Sequence, residues 1–150
     1  MDQDFVKRLR GKTIFLDSII YINALNQNPD FPSLAEIFQS ISAAKTIAFS
    51  SVLTLMEVLV RPSALAQDQL ISDHLEFVTA NGLIRLIDFD QNIAIAAAKI
   101  RATHKLSTPD SIQLATAVAV KCNLFLTTDR DFHKMPDIGL KVIVITPAKN

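Results

Sequence analysis

Short apolar segments that alternate with helix-like patterns constrain the fold of this chain more than any other feature of its sequence. These segments are rich in β-branched and aromatic residues, and they occupy 13–16, 46–49, 83–87, 124–127 and 141–145. Runs of this length and composition predict buried strands. Longer stretches with apolar residues at helical spacing separate them. This alternation favours an α/β fold in which helices cover a mostly parallel sheet.

Polar residues and prolines indicate where several of the helices begin or end. Ser33 and Glu36 form a capping-box pattern ahead of an apolar stretch. Asp90 precedes an alanine-rich helix, and Thr108 stands just before a proline that suits the first turn of another helix. Pro62 is expected to end the helix that follows the second strand, because proline has no amide hydrogen to donate.

Composition limits the size of the protein and excludes several kinds of site. The 150 residues, 49% of them hydrophobic, predict one domain spanning 1–150 with a substantial core. No apolar run approaches the roughly 20 residues that a membrane helix needs, and the amino-terminal segment lacks secretory features, so we expect a soluble, cytoplasmic protein without membrane association. The single cysteine, Cys122, excludes an internal disulfide and a cysteine zinc cluster, and three glycines exclude a glycine-rich phosphate loop.

Four acidic residues occupy places where a parallel sheet would gather them. Asp17 ends the first strand, Glu57 lies in the helix after the second, Asp110 lies in the first turn of a helix, and Asp129 follows the fourth strand. Ligand sites in such sheets lie outside the carboxyl ends of the strands. Each aspartate also has a structural explanation as a cap, a dipole partner or a turn residue. Glu57 is harder to explain in this way, because a carboxylate among apolar residues needs a partner.

The chemistry that suits clustered carboxylates is metal-assisted hydrolysis of a phosphodiester. Oxygen-only ligands favour Mg²⁺ or Mn²⁺ over zinc, and such ions offset the repulsion between neighbouring carboxylates. Thr127 and Thr128 stand beside the last acid, where their hydroxyls are expected to bond water or a carboxylate. Asp131 follows two residues after Asp129 and is expected to join the site or to support it.

These residues lie in segments that resemble the PIN-domain ribonucleases, and among them the VapC-type toxins. The matching segments are IFLDSIIYI around Asp17, SSVLTLMEVL around Glu57, LSTPDSIQLATAVAV around Asp110 and LFLTTDRDF around Asp129. The resemblance implies a PIN-like three-layer α/β/α fold and an endoribonuclease whose pocket holds Mg²⁺ or Mn²⁺ on these four catalytic acids. It also implies an RNA substrate, a homodimer, and control by a cognate antitoxin protein.

Two positions depart from the pattern of the family. Thr128 stands where the family often has asparagine before the last acid, and Ile19 replaces a polar residue that often follows the first. Neither change removes one of the four acids, so we expect an active enzyme.

Two basic residues are candidates for contact with substrate, although the formal net charge of the chain is zero. Arg130, between two acids, and Lys134 are candidates for contacting a phosphate group of the substrate. A cluster of basic residues at 7–12 precedes the first strand and suits either a solvated surface or contact with a partner chain.

Two other classes of function remain open from the sequence. One is a PIN-like module that binds RNA or protein without catalysis, which the loss of a core acid would favour. The other is a phosphatase that forms a phospho-aspartate at Asp17. Such enzymes commonly have a second aspartate two residues after the first, where Ile19 stands here.

Overall fold

A five-stranded sheet forms the centre of the molecule. The computed structural model describes residues 3–43, 45–79, 82–136 and 138–148. The strands are β1 (Thr13–Leu16), β2 (Ile47–Ser51), β3 (Ile84–Ile87), β4 (Leu124–Thr127) and β5 (Lys141–Val144). Their order is β3-β2-β1-β4-β5, and every neighbouring pair is parallel. The predicted parallel sheet is therefore confirmed, with β1 at its centre.

Helices connect the strands and cover both faces of the sheet. Those within the described residues are α1 (Gln3–Leu9), α2 (Ser18–Leu25), α3 (Ser33–Ser42), α4 (Leu53–Ala64), α5 (Asp68–Thr79), α6 (Gln91–His104), α7 (Thr108–Ala119) and a short 3₁₀ helix (Arg130–Lys134). This is the predicted three-layer α/β/α architecture. No helix in the described ranges is both long enough and apolar enough to cross a membrane.

Strand β1 shows how the sheet divides the core between its two faces. Successive side chains of a strand point to opposite faces. Ile14 and Leu16 accordingly belong to the core that α1 to α5 cover, whereas Phe15 packs on the opposite side with Leu114 of α7. The ring of Phe15 stacks on Phe125 of the neighbouring strand, with centroids 5.5 Å apart. Both faces of β1 are thus buried, which explains its continuous apolar run.

Helix α4 continues past Pro62, so the prediction that it ends before this proline is wrong. A proline inside a helix leaves the carbonyl four residues earlier without its usual donor. That carbonyl belongs to Val58, and Nδ1 of His74 on α5 lies 3.2 Å from it. The histidine therefore replaces the missing amide, and packing of α4 against α5 allows the helix to reach Ala64.

The starts of α6 and α7 are close to the predicted positions. Asp90 caps α6 as predicted, accepting a hydrogen bond of 2.8 Å from the amide of Ile93. Helix α7 is capped one residue earlier than predicted. Ser107, not Thr108, is its N-cap and accepts a hydrogen bond from the amide of Asp110 at 3.2 Å.

One further expectation about the amino-terminal third is wrong. Ser33 does not cap α3. The backbone at Pro32 is already helical, and no side chain caps this end, so the capping-box pattern with Glu36 is not realised. The basic cluster before β1 begins inside a helix, because Lys7 and Arg8 lie in the last turn of α1, where positive charge stabilises a helix terminus.

Candidate functional site

The four acids line one open cavity of about 500 Å³ at the carboxyl edge of the sheet. Each comes from a different connection: Asp17 precedes α2, Glu57 lies in α4, Asp110 lies in the first turn of α7, and Asp129 precedes the 3₁₀ helix. Strands β1 and β4 are adjacent and in parallel register, which brings their carboxyl ends side by side. The fold thus brings together residues that are up to 112 positions apart in the sequence.

Asp17 is the most buried of the four, with only 4% of its surface exposed. Thr127 donates a hydrogen bond of 2.6 Å to its Oδ2, and the hydroxyl of Thr127 accepts one of 3.0 Å from the amide of Asp129. Burial raises the pKa of Asp17 to about 7; the bond from Thr127 opposes this shift, and the charges of Asp110 and Glu57 add to it. The pocket therefore contains a carboxyl group that titrates near neutral pH.

Asp110 is half-buried and is held by the cap of its own helix. The hydroxyl of Ser107 donates a 2.5 Å hydrogen bond to its Oδ2. Burial raises the pKa of Asp110, the bond from Ser107 lowers it, and the charges of Asp129 and Asp131 raise it further. The carboxylates of Asp110, Asp129 and Asp131 therefore repel one another, as expected for a site that attracts cations.

The segment after β4 supplies the outer rim of the cavity. Asp129 caps the 3₁₀ helix, since its Oδ1 accepts a 2.8 Å hydrogen bond from the amide of Asp131. Asp131 is exposed and does not line the cavity, whereas Thr128 and the exposed Arg130 do. The side chain of Lys134 lies outside the described part of the structure, so its predicted contact with substrate stays a prediction.

Besides Ser107, two polar residues of the site were missed in the sequence. Gln113 donates a 3.1 Å hydrogen bond from Nε2 to Oε2 of Glu57, and Asn23 donates one of 3.0 Å to the hydroxyl of Thr128. The signal for Gln113 was available, because it is a polar residue within the apolar pattern of α7, the same argument that singled out Glu57. Asn23 gave no comparable signal.

The chemistry of the lining residues suits a hard divalent cation. The four acids that line the cavity offer only oxygen ligands, which Mg²⁺ and Mn²⁺ prefer. The expected tight cluster is not formed in advance, however. Among the described residues, no group of three or more histidine, cysteine, aspartate or glutamate side chains is close enough to hold a metal ion. Each of the four carboxylates accepts a hydrogen bond from a neighbouring protein group instead.

Comparison with known families identifies this architecture. The sequence profile of the PIN domain matches residues 14–138. The chain belongs to the PIN-domain family. The match spans β1 to the segment after the 3₁₀ helix, so it includes all four acids of the cavity. No curated protein sequence matches the chain significantly.

Solved structures that resemble this PIN domain include toxin–antitoxin complexes. A toxin–antitoxin complex from Klebsiella pneumoniae contains a chain 26% identical, with a TM-score of 0.61, covering 85% of this chain and 94% of that one. VapBC2 from Rickettsia felis, bound to a promoter DNA fragment, has a TM-score of 0.70 at 18% identity, covering 88% and 98%. DNA-bound VapBC from Salmonella typhimurium has a TM-score of 0.65 at 19% identity, covering 89% and 98%.

Proposed function

We propose that this single PIN domain is a metal-dependent endoribonuclease, the toxin of a toxin–antitoxin pair. One observation carries the proposal: four carboxylates from four separate elements line one cavity at the carboxyl edge of a parallel sheet, in a chain of the PIN-domain family. Carboxylates in such numbers cost free energy unless a cation or a protonation step compensates for them. A structural role would not require all four around one open cavity.

In this proposal Asp17, Glu57, Asp110 and Asp129 are the catalytic acids that hold Mg²⁺ or Mn²⁺. A bound divalent ion would supply charge stabilisation for the scissile phosphate and lower the pKa of an attacking water. Thr127 orients Asp17, and its bond to the amide of Asp129 fixes the spacing between the two acids. Three of the acids are only partly buried, so water and a phosphate group can reach them.

The remaining rim residues have supporting roles in the proposal. Arg130 is exposed at the edge of the cavity, where its guanidinium can contact a phosphate of the RNA backbone. Thr128, held by Asn23, lines the same edge and can bind water or the sugar–phosphate chain. Asp131 orders the rim through its backbone bond to Asp129. We also propose that Lys134 contacts substrate, because it follows Arg130 closely in the sequence.

The decisive experiment is cleavage of a mixed RNA pool by the purified protein in Mg²⁺, in Mn²⁺ and in EDTA. We expect cleavage with either ion, none in EDTA, and a loss of about 10³-fold with Asp110→Asn. The matched control is Asp73→Asn, which changes an exposed aspartate on α5 that is not among the residues lining the acidic cavity.

A phosphomonoester substrate and an RNA-binding measurement separate this proposal from its alternatives. Hydrolysis of p-nitrophenyl phosphate without RNA cleavage would indicate a phosphatase. RNA binding by the folded protein with no cleavage in either metal would indicate a non-catalytic module. Either result would overturn the proposed nuclease.

We further propose that an antitoxin protein binds this chain, in line with the complexes that its structural neighbours form. An apolar groove of about 410 Å³ between α2, α4 and α5 shares Ile22 and Glu57 with the acidic cavity. Leu65 and Leu70 line this groove with more than a third of their surface exposed, and apolar surface of this kind suits a protein partner. Leu70→Asp should weaken capture of an antitoxin encoded beside the gene, measured by co-purification, while RNA cleavage persists.

A homodimer is the oligomeric state that we propose. Light scattering on the purified chain should give twice the mass of 16.6 kDa. A monomer at micromolar concentration would contradict this part of the proposal without affecting the nuclease.

A further inference from the structure

Gln113 occupies an unusual position for an amide side chain. It lies in the middle of α7, one turn after Asp110, and only 1% of its surface is exposed. Its neighbours Ile112 and Leu114 belong to the apolar core. An amide at such a depth needs hydrogen bonds, and a leucine would fill the space without needing any.

The amide nitrogen of Gln113 joins two residues of α4. Nε2 donates hydrogen bonds of 3.1 Å to Oε2 of Glu57 and 3.1 Å to Oγ1 of Thr54. Thr54 lies one turn before Glu57 and is fully buried. Both protons of the Gln113 amide are therefore used, and one of them holds an acid of the cavity.

The hydrogen bonds of Ser50 determine which group donates and which accepts at Thr54. Ser50 donates its hydroxyl proton to the carbonyl of Leu16 at 2.9 Å, so it must accept from Thr54 in the bond of 2.9 Å between their hydroxyls. Thr54 has then used its own proton and must accept from Gln113. The chain of bonds runs in one direction from Gln113 to Leu16, the residue before Asp17.

This direction favours one orientation of the Gln113 amide. Turned over, its oxygen would face the hydroxyl of Thr54, whose proton is already donated to Ser50, and its nitrogen would lose both of the bonds that it donates. In the observed orientation Oε1 is buried and has no hydrogen-bond partner among the described residues. A leucine at this position would need no hydrogen bonds, so the amide is explained by the bonds that it donates to Glu57 and Thr54.

We infer that Gln113 is a positioning residue that holds the carboxylate of Glu57 at the metal-binding cavity, anchored through Thr54 and Ser50 to β1 beside Asp17. The inference rests on the proposed metal-dependent function. Glu57 is only half-buried on α4 and has several rotatable bonds. The bond from Gln113 selects one rotamer and holds Glu57 in the wall of the cavity that it shares with Asp17. Residues that orient metal ligands in this way commonly change metal affinity about 10-fold when they are replaced.

Binding of Mn²⁺ to the RNA-free protein tests this role without relying on cleavage. Free Mn²⁺ is followed by its electron paramagnetic resonance signal during a titration of wild type and Gln113→Met, which removes both donors and keeps an unbranched side chain. We expect the dissociation constant to rise about 10-fold. The matched control is Gln69→Met, since Gln69 donates a similar 2.8 Å bond to Asp73 on an exposed face of α5.

Repeating the substitution in the Glu57→Ala variant separates positioning of Glu57 from a general effect of Gln113 on the fold. In Glu57→Ala the acid that Gln113 positions is absent, so Gln113→Met should change Mn²⁺ binding less than about twofold. Equal weakening in both backgrounds would indicate a structural role and overturn the inference. Thermal unfolding identifies any variant that does not fold. If Gln113→Met is such a variant, Gln113→Asn, whose amide is one methylene short of Glu57, is measured by the same criterion.

The remaining outcomes distinguish the inference from the function on which it rests. If wild type binds Mn²⁺ and Gln113→Met binds it equally well, the role of Gln113 is overturned and the proposed nuclease stands. If the folded wild type binds no Mn²⁺, the metal-dependent function is overturned, and the inference with it.

Discussion

The inner wall and the outer rim of the acidic cavity are built in different ways. On the inner wall, Asp17 is buried and is held by Thr127 from another strand, and Glu57 is held by Gln113 from another helix. On the rim, Asp110 and Asp129 are partly exposed.

Each rim acid takes its hydrogen bonds from residues within three positions of it in the sequence. The inner wall is therefore a product of tertiary packing, whereas local turn and cap geometry is sufficient for the rim. We expect the inner wall to be sensitive in both stability and activity, and the rim mainly in activity.

The largest loss of RNA cleavage should come from removing the charge of one acid, whether it lies on the inner wall or on the rim. Asp17→Asn and Asp110→Asn should each reduce RNA cleavage by about 10³-fold, because in the proposed mechanism both replace a carboxylate oxygen that holds the metal ion or faces the phosphate. Circular dichroism should show that both variants stay folded. Activity like that of wild type in both variants would remove the basis of the proposed site.

The pH dependence of the free energy of unfolding should differ between Asp17 and Asp110, because only Asp17 is deeply buried. Its pKa rises from 3.8 to about 7 in the folded protein, so the folded state binds the extra proton and loses stability as pH rises through that window. Without metal, the advantage of Asp17→Asn in the free energy of unfolding should grow by about 1.4 kcal/mol per pH unit between those values, then level off.

Urea unfolding in EDTA at several pH values measures this advantage. Parallel pH profiles for wild type and Asp17→Asn would show that burial does not control the titration of Asp17.

A smaller effect is expected for the hydroxyl that joins the inner wall to the rim. Thr127→Val removes the donor to Asp17 and the acceptor for the amide of Asp129, and it should cost about 1–3 kcal/mol in the free energy of unfolding. Thr128→Val, at a half-buried position, should cost less than half as much. Chemical denaturation of both variants makes the comparison, and equal losses would contradict the distinction between wall and rim.

The smallest effect should come from the exposed acid of the rim. Asp131 bonds Asp129 through its backbone amide, which Asp131→Asn leaves in place, and its side chain does not line the cavity. Cleavage by Asp131→Asn should therefore fall less than about threefold, near the effect of an ordinary surface substitution. A loss as large as that of Asp110→Asn would place Asp131 within the site.

Local sequence patterns determined most of the fold. The alternation of strand and helix segments predicted the parallel sheet and its cover of helices, because burial of both faces leaves continuous apolar runs in the strands. The cap at Asp90 was also predictable, since the bond that it accepts comes from a residue three positions away. The positions of the four acids at strand and helix ends predicted that they would lie at one edge of the sheet, and they line one cavity there.

What only the tertiary structure decided depends on contacts between residues that are distant in the sequence. Pro62 lies within α4 because His74, twelve residues later, reaches the carbonyl that proline leaves free. The burial of Asp17, which raises its pKa to about 7, follows from packing β1 between β2 and β4. The link from Gln113 to Glu57 spans 56 positions. Local patterns record the preferences of the backbone and the direction of apolar faces, whereas the partner of a buried polar group is chosen by the packing of whole elements.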